Sequence, residues 1–100
     1  MSQAGIGELV GRAREVTAGV IAPNVEREDR DALWPAPAMK ALAEAGLMGL
    51  NVPVELGGHG QGLAGLLAIS RTLAQESPST ALCYAMHCVG TAVIARMRRA

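Results

Sequence analysis

The chain has 100 residues, half of them apolar, and its nine basic and nine acidic side chains cancel. A balanced charge supplies no field that would draw the chain to nucleic acid or to an anionic membrane, so neither partner is expected. The length allows one domain with a modest core. Only Trp34 and Tyr84 are aromatic, and the apolar residues are mainly Ala, Leu, Val and Met, which favours closely packed helices over a sheet sandwich.

The first predicted helix runs from Gln3 to about Asp29. Its apolar residues recur at helical spacing, as Ile6, Leu9, Val10, Ala13, Val16, Val20 and Ile21. Pro23 has no amide hydrogen to donate, so a kink or a restart is predicted near Ile21 to Pro23. The run EREDRD, residues 26–31, mixes both signs of charge and is predicted to be a solvated helix face and helix end.

A second helix is predicted to begin at Pro37, because proline suits the first position of a helix. It should end near Ala45, where Gly46 can adopt the left-handed conformation and Leu47 can pack back on Leu42, as in a Schellman motif.

The stretch GGHGQGLAG contains the spacing G-x-G-x-x-G that is typical of a dinucleotide-binding turn. Such a turn needs a buried strand before it and a second strand, ending in an acidic residue, after its helix. Asn51 to Leu56 is predicted to be extended, but Pro53 makes it at best a short edge piece, and the following helix leads to another helix. The stretch is therefore predicted to be a loop in which Gly57, Gly58 and Gly60 permit unusual backbone angles.

The third predicted helix spans about Gly62 to Glu76, and its expected buried residues are Leu63, Leu66, Leu67, Ile69 and Leu73. Ser77 and Pro78 then form a strong start signal, as N-cap and first residue, for a fourth helix that reaches about Arg98. The sequence therefore predicts an all-α fold, an antiparallel bundle of about four helices with a short extended glycine-rich loop between the second and the third.

The fourth helix is apolar nearly all round. One side carries Leu82, Ala85, Met86, Val89, Ala92 and Val93, and the other carries Tyr84, His87, Cys88, Thr91, Ile94 and Ala95. A helix of this kind must be covered on all sides, and three short helices do not suffice. Part of its surface is therefore expected to face protein or ligand that this chain does not contain.

One tryptophan and three methionines are also predicted to take part in packing. Trp34, next to a proline, is expected to anchor the packing at a helix junction. Met39, Met48 and Met86 are expected to fill the core.

The cysteines and the N-terminus indicate a reducing compartment, so a cytoplasmic location is expected. Cys83 and Cys88 lie on different faces of a helix, which predicts neither a disulfide nor a metal site. The first ten residues lack the features of a secretion signal. The stretch Ser77 to Ala95 is long enough to span a membrane, but its proline, hydroxyl and imidazole groups favour a soluble helix.

Taken together, four stretches resemble the N-terminal helical domain of the acyl-CoA dehydrogenase superfamily: IAPNVEREDRDALWP, MKALAEAGLMGLNVP, PVELGGHG and ISRTLAQESPSTALCYAMH. The most specific is PVELGGHG, residues 53–60, which fits the family pattern P-x-E-(aromatic or Leu)-G-G-x-G without a gap. The A-x-x-x-D element is only loosely present, around Ala22 and Asp29. The resemblance covers essentially residues 1–100.

The resemblance implies a three-domain FAD enzyme, usually a tetramer, that oxidises an acyl-CoA thioester between its α and β carbons. It also implies an electron-accepting flavoprotein as a partner. In the family the flavin contacts come from the middle β-sheet domain and the C-terminal helical domain, and the catalytic glutamate comes from the latter. No catalytic residue, flavin ligand or metal ligand is therefore assigned to this chain, and the isolated chain is expected to be inactive. Neither Glu55 nor Glu76 is taken as the base.

The resemblance also suggests a substrate-binding position. His87 matches a place on the family helix that approaches the acyl end of the cavity, with Tyr84 and Cys88 beside it. The alternative for a lone histidine on an apolar helix is a core residue with its hydrogen bonds satisfied. His59 is expected to be exposed in its loop, and Glu55 to fix that loop by capping or pairing.

Two further function classes stay open. Flavin-dependent monooxygenases share the superfamily fold, and the stretch SPSTALCYAMHCVGTA is compatible with them. A helical interaction module without enzymatic activity is the third class, which applies if the natural protein ends at Ala100.

Overall fold

The structure, a computed structural model, describes residues 5–31 and 33–99, the side chains of 98 and 99 excepted. Its elements are α1 (Ile6–Val16), a π-helical turn (Thr17–Ile21), α2 (Ala22–Asp31), α3 (Ala36–Glu44), a 3₁₀ turn (Val54–Leu56), α4 (Leu63–Ala74) and α5 (Pro78–Arg99). Since α1, the π turn and α2 are continuous, the chain forms four helical segments. No strand occurs within the described ranges, and the predicted all-α fold is confirmed.

The disturbance predicted from Pro23 takes the form of the π turn, which lies just upstream of the proline. The Ala22 amide donates to the Thr17 carbonyl, five residues back, so the helix widens by one residue and then continues. Pro23 has no amide to give to the carbonyl one turn earlier, and a widened turn accommodates that missing bond. Asn24 Nδ2 satisfies the Val20 carbonyl at 2.8 Å.

Two predicted helix boundaries are confirmed by their hydrogen bonds. Gly46 has φ = 78°, its amide donates to the Ala43 carbonyl, and the Leu47 amide donates to the Leu42 carbonyl, both at 3.0 Å. These are the two bonds of a Schellman motif. At the start of α5, the Thr80 amide donates to Ser77 Oγ at 3.1 Å, as expected of an N-cap.

The core lies where α1, the π turn, α3, α4 and α5 meet. Its largest fully buried side chains include Leu9, Ile21, Leu42, Leu47, Leu50, Ile69, Leu73 and Tyr84. Helices α4 and α5 are joined by residues 75–77 alone, which makes them antiparallel neighbours. Segment 45–50, which follows α3, contributes two of the buried leucines and so belongs to the core although it is not helical.

Several expected core residues are exposed instead. Leu63 and Leu67 on α4 are 71% and 57% exposed, and Met86 on α5 is 66% exposed. Helix α4 packs on the core through Ile69 and Leu73, and α5 packs through Tyr84 and Cys88. The remaining helices are too few to cover the other sides of these two apolar helices. Trp34 is 63% exposed, because the short link between α2 and α3 turns tightly there, with the Ala36 amide bonded to the Trp34 carbonyl.

The extended conformation predicted for Asn51 to Leu56 is wrong. Asn51 lies in a turn closed by the Val52 amide on the Gly49 carbonyl at 3.2 Å, and Val54–Leu56 form a 3₁₀ turn. Pro53, with φ = −58°, starts a 3₁₀ turn that is closed by the Leu56 amide on the Pro53 carbonyl and the Gly57 amide on the Val54 carbonyl. Proline fixes the φ angle that begins such a turn, and Gly57 ends it at φ = 90°, which glycine adopts without strain.

Gly58 is required for a different reason, because the loop closes on itself at this residue. A Cβ atom there would overlap the Val52 carbonyl oxygen, a clash that only a backbone shift could relieve. Gly62, whose φ is −93°, has no heavy atom near its would-be Cβ.

We expect Gly58→Ala to lower the free energy of unfolding by about 1–3 kcal/mol, the usual cost of overpacking. Gly62→Ala, at the open N-cap of α4, is the matched control and should cost less, at most about 1 kcal/mol, because glycine is only moderately better than alanine at an N-cap. Urea unfolding of the two variants measures both values. Equal midpoints for the two variants would contradict the packing of Gly58 against Val52.

Candidate functional site

The three residues predicted to bind substrate, Tyr84, His87 and Cys88, lie on one side of α5, because positions i, i+3 and i+4 of a helix share a face. The structure directs this side inward, toward segment 45–50. Tyr84 and Cys88 are fully buried, and His87 is half-buried.

Tyr84 uses its polar atom within the protein. Its Oη donates to the Leu47 carbonyl at 2.7 Å, and Leu47 is itself fully buried. A buried carbonyl without a donor costs free energy. The Tyr84 hydroxyl therefore satisfies a group that neither solvent nor a helix could satisfy.

His87 makes the equivalent bond one residue further along. Its Nε2 lies 3.0 Å from the Met48 carbonyl, and since a carbonyl only accepts, that nitrogen carries the proton. With this bond, His87 fits the alternative of a core histidine whose hydrogen bond is made within the protein. It leaves Nδ1 and the ring faces as the parts of His87 that remain for other contacts.

These two bonds belong to a row of four successive carbonyls, Ala45 to Met48, each of which accepts from a side chain. Arg12 Nη1 donates to the Ala45 carbonyl at 3.2 Å, and His59 Nε2 donates to the Gly46 carbonyl at 2.6 Å. Arg12 was not predicted from the sequence to take part in this row, and His59 was predicted to be exposed. His59 is half-buried and bonded, because the glycine-rich loop folds back onto the end of α3.

Burial governs the acid–base chemistry on this side of α5. It raises the pKa of Tyr84 well above the ordinary value of 10.0, and the neighbouring Cys88 raises it further. Burial also raises the pKa of the Cys88 thiol, partly offset by a hydrogen bond with Tyr84. Both groups therefore stay protonated near neutral pH, and neither is activated as a nucleophile or a base.

An apolar cleft of about 450 Å³ opens beside the next turns of α5. It is lined by Val52, Leu56, Thr91, Ile94 and Ala95, so α5 forms one wall and the glycine-rich loop region forms the other. The Thr91 hydroxyl donates to the Cys88 carbonyl at 3.0 Å, which leaves the cleft without a strongly polar wall. Its lining suits an apolar chain rather than a charged group.

The outer side of α5 is an exposed apolar face, defined here as Leu82, Met86, Val89 and Val93. Each is between 51% and 66% exposed, and the spacing of four, three and four residues is that of a seam that packs on another helix. By length and composition alone, Pro78–Met97 could also cross a membrane, a test that core helices of soluble proteins pass as well.

The glycine-rich loop does not provide a dinucleotide cradle. No strand precedes it in the described part of the chain, and the glycines serve the loop's own packing: Gly58 against Val52, and Gly65 in contact with Gln61. The Asn51 side chain bonds the Gln61 carbonyl at 2.6 Å and so closes the loop. These residues do not fit a flavin dinucleotide.

Comparison with known proteins shows the family to which the chain belongs. Residues 7–97 match the acyl-CoA dehydrogenase N-terminal domain family, and the chain therefore belongs to that family. Over 59 residues it is 39% identical to the acryloyl-CoA reductase (NADH) of Anaerotignum propionicum, a match that covers 58% of this chain and 15% of that protein. The chain thus corresponds to a small part of the length of this relative. No solved structure matches it significantly.

We expect Tyr84→Phe to lower the free energy of unfolding by about 1–3 kcal/mol, because the Leu47 carbonyl would stay buried without a donor. Met86→Leu, on the exposed side of the same helix, is the control and should change it by less than about 0.5 kcal/mol. Chemical denaturation measures both. A fully stable Phe variant would show that the Leu47 carbonyl does not depend on Tyr84.

Proposed function

We propose that this chain is the N-terminal helical part of an FAD-dependent acyl-CoA dehydrogenase, which oxidises an acyl-CoA thioester between its α and β carbons. The observation that carries the proposal is the family match over residues 7–97, joined to a structure whose longest helix exposes an apolar face. In this proposal the partners are acyl-CoA, an electron-accepting flavoprotein and further copies of the same protein in the cytoplasm. The chain itself supplies shape rather than reacting groups.

The exposed apolar face of α5 supports a role at a domain interface. Four large side chains in helix-packing register lose hydrophobic stabilisation as long as they face water, at about 25 cal/mol per Å² of apolar area. The inner side of the same helix is fixed to segment 45–50 by Tyr84 and His87. Helix α5 is therefore held in a fixed position, and a domain that packs on its outer face would be held in a fixed position relative to this chain.

The cleft beside Thr91 supports a role in forming the acyl cavity. Its lining is apolar, and the substrate's acyl chain is apolar, so burying that chain there would be favourable. Tyr84, His87 and Cys88 do not line this cleft. We propose that they support the acyl cavity from behind, because Tyr84 and His87 hold segment 45–50 in place. The ring of His87 is the part of this group that is accessible enough to touch the acyl chain.

The reaction could also run in the opposite direction, as a reduction, and the name of one relative favours this alternative. The relative from Anaerotignum propionicum is named a reductase of acryloyl-CoA that uses NADH. Reduction of an α,β-unsaturated thioester and dehydrogenation of the saturated one concern the same carbon–carbon bond in opposite directions. A test therefore needs a saturated acyl-CoA in one arm and an unsaturated one with NADH in the other.

We expect the protein made from the complete natural reading frame to show flavin absorption bands that bleach when saturated acyl-CoAs are added without oxygen. Bleaching means that electrons have passed from the thioester to the flavin. Bands that bleach only with NADH, and recover on addition of acryloyl-CoA, would replace the dehydrogenase by a reductase. Bands that respond to no acyl-CoA would support the monooxygenase relatives, and a colourless protein would support the interaction module.

The role of the exposed face is tested with two variants that each add one carboxylate to an exposed helix position. Val89→Glu lies in the exposed apolar face of α5, and Ala43→Glu lies on α3, outside that face. We expect Val89→Glu to reduce the flavin content and the assembled fraction at least severalfold and Ala43→Glu to leave both unchanged. Equal flavin content in the two variants would count against an interface on α5.

A further inference from the structure

Glu28 departs from the solvated helix face that the run EREDRD predicts. It is only 6% exposed, and its Oε2 atom is buried without a hydrogen-bond partner. The two arginines of the same run point elsewhere: Arg27 bonds the Asn24 side chain, and Arg30 pairs with Asp31. A buried carboxylate without a counter-charge is costly, so this position calls for a partner.

The carboxylate lies in a pocket between the end of α2 and the start of α5. The pocket has a volume of about 280 Å³ and is lined by Glu28, Asp29, Leu33, Pro35, Ser77 and Ser79. The lining thus combines acidic and hydroxyl oxygens with two apolar side chains. Among the described residues, no other titratable or charged side chain lines it.

The N-terminus of α5 does not account for the buried charge. A carboxylate can cap a helix by accepting from its first free amides, but here that work is done by Ser77. Its Oγ accepts from the Thr80 amide at 3.1 Å, its carbonyl accepts from the Ala81 amide at 3.1 Å, and Pro78 has no amide to offer. The remaining amide of this first turn is that of Ser79, and Glu28 Oε2 makes no hydrogen bond to it or to any other group in the described structure. This oxygen is therefore available to another group.

We propose that this pocket, the Glu28 pocket, binds a guanidinium group. A guanidinium is planar, offers five N–H donors and is weakly hydrated, so it pairs with carboxylates while its faces rest on apolar side chains such as Leu33 and Pro35. An ammonium group is more strongly hydrated and has fewer donors. A divalent cation would need six or more oxygen ligands, and the pocket offers one buried carboxylate, with Asp29 exposed.

The guanidinium has two possible sources, an arginine side chain elsewhere in the assembled protein or a free ligand. We measure the melting temperature of the protein made from its complete reading frame, with millimolar methylguanidinium chloride or with sodium chloride at equal concentration. Glu28→Gln removes the charge and keeps the shape. Asp29→Asn, the exposed neighbour in the same pocket, is the matched control.

An arginine from the assembly predicts that Glu28→Gln melts about 4 °C or more below wild type, that Asp29→Asn stays close to wild type, and that methylguanidinium has no effect. A free ligand predicts that methylguanidinium raises the melting temperature of wild type and not that of Glu28→Gln. The proposal is overturned if Glu28→Gln melts at or above the wild-type temperature and neither protein responds to the probe, since removal of an unpaired buried charge stabilises. Stabilisation of wild type by calcium chloride, and not by methylguanidinium, would overturn it in favour of a metal.

Discussion

The structure depends on how four consecutive carbonyls after α3 obtain their hydrogen bonds. Segment 45–50 enters the core without being helical, and Leu47 is fully buried, so its carbonyl needs a donor from within the protein. The donors to residues 45–48 come from α1, the glycine-rich loop and α5. One short segment thus fixes three parts of the chain relative to one another. Tyr84 is central because no other side chain donates to the Leu47 carbonyl in the described structure.

This arrangement gives α5 two distinct sides with separate tasks. The inner side is bound to segment 45–50 and to α4, which determines where the helix lies and how it is rotated. The outer side is consequently held in a defined position with Leu82, Met86, Val89 and Val93 exposed. A helix of 22 residues, fixed along one side, is a suitable wall for a cavity and a suitable surface for a second domain. The proposed function relies on this combination.

The sequence predicted those features that depend on neighbouring residues. Ser77 followed by Pro78 indicated the start of α5, and Gly46 indicated the end of α3, because capping is decided within one helical turn. The expectation that α5 is only partly covered by this chain also followed from its composition. One error was local, since the 3₁₀ turn at Val54–Leu56 was predicted to be extended. The other errors concern contacts between distant residues. The exposure of Leu63 and Trp34, the burial of Glu28 and the bond of His59 all depend on which helix face meets which neighbour, and apolar periodicity does not determine this where a helix is apolar on several sides.

Of the candidate site, the grouping of Tyr84, His87 and Cys88 could be predicted from helical spacing, whereas the bonds of Tyr84 and His87 to segment 45–50 could not.

The central claim, that the Tyr84 hydroxyl is buried against the Leu47 carbonyl, can be measured directly because Tyr84 is the only tyrosine. The pKa of the Tyr84 hydroxyl in the folded state is raised above the ordinary value of 10.0. Its contribution to stability is therefore complete below about pH 10. It is lost as the pH rises further, because the unfolded chain then ionises and the folded chain does not. An alkaline titration should follow tyrosinate absorbance and helical circular dichroism together. Ionisation and loss of helix should coincide in a single transition above pH 10. Ionisation near pH 10 with the helices intact would contradict it.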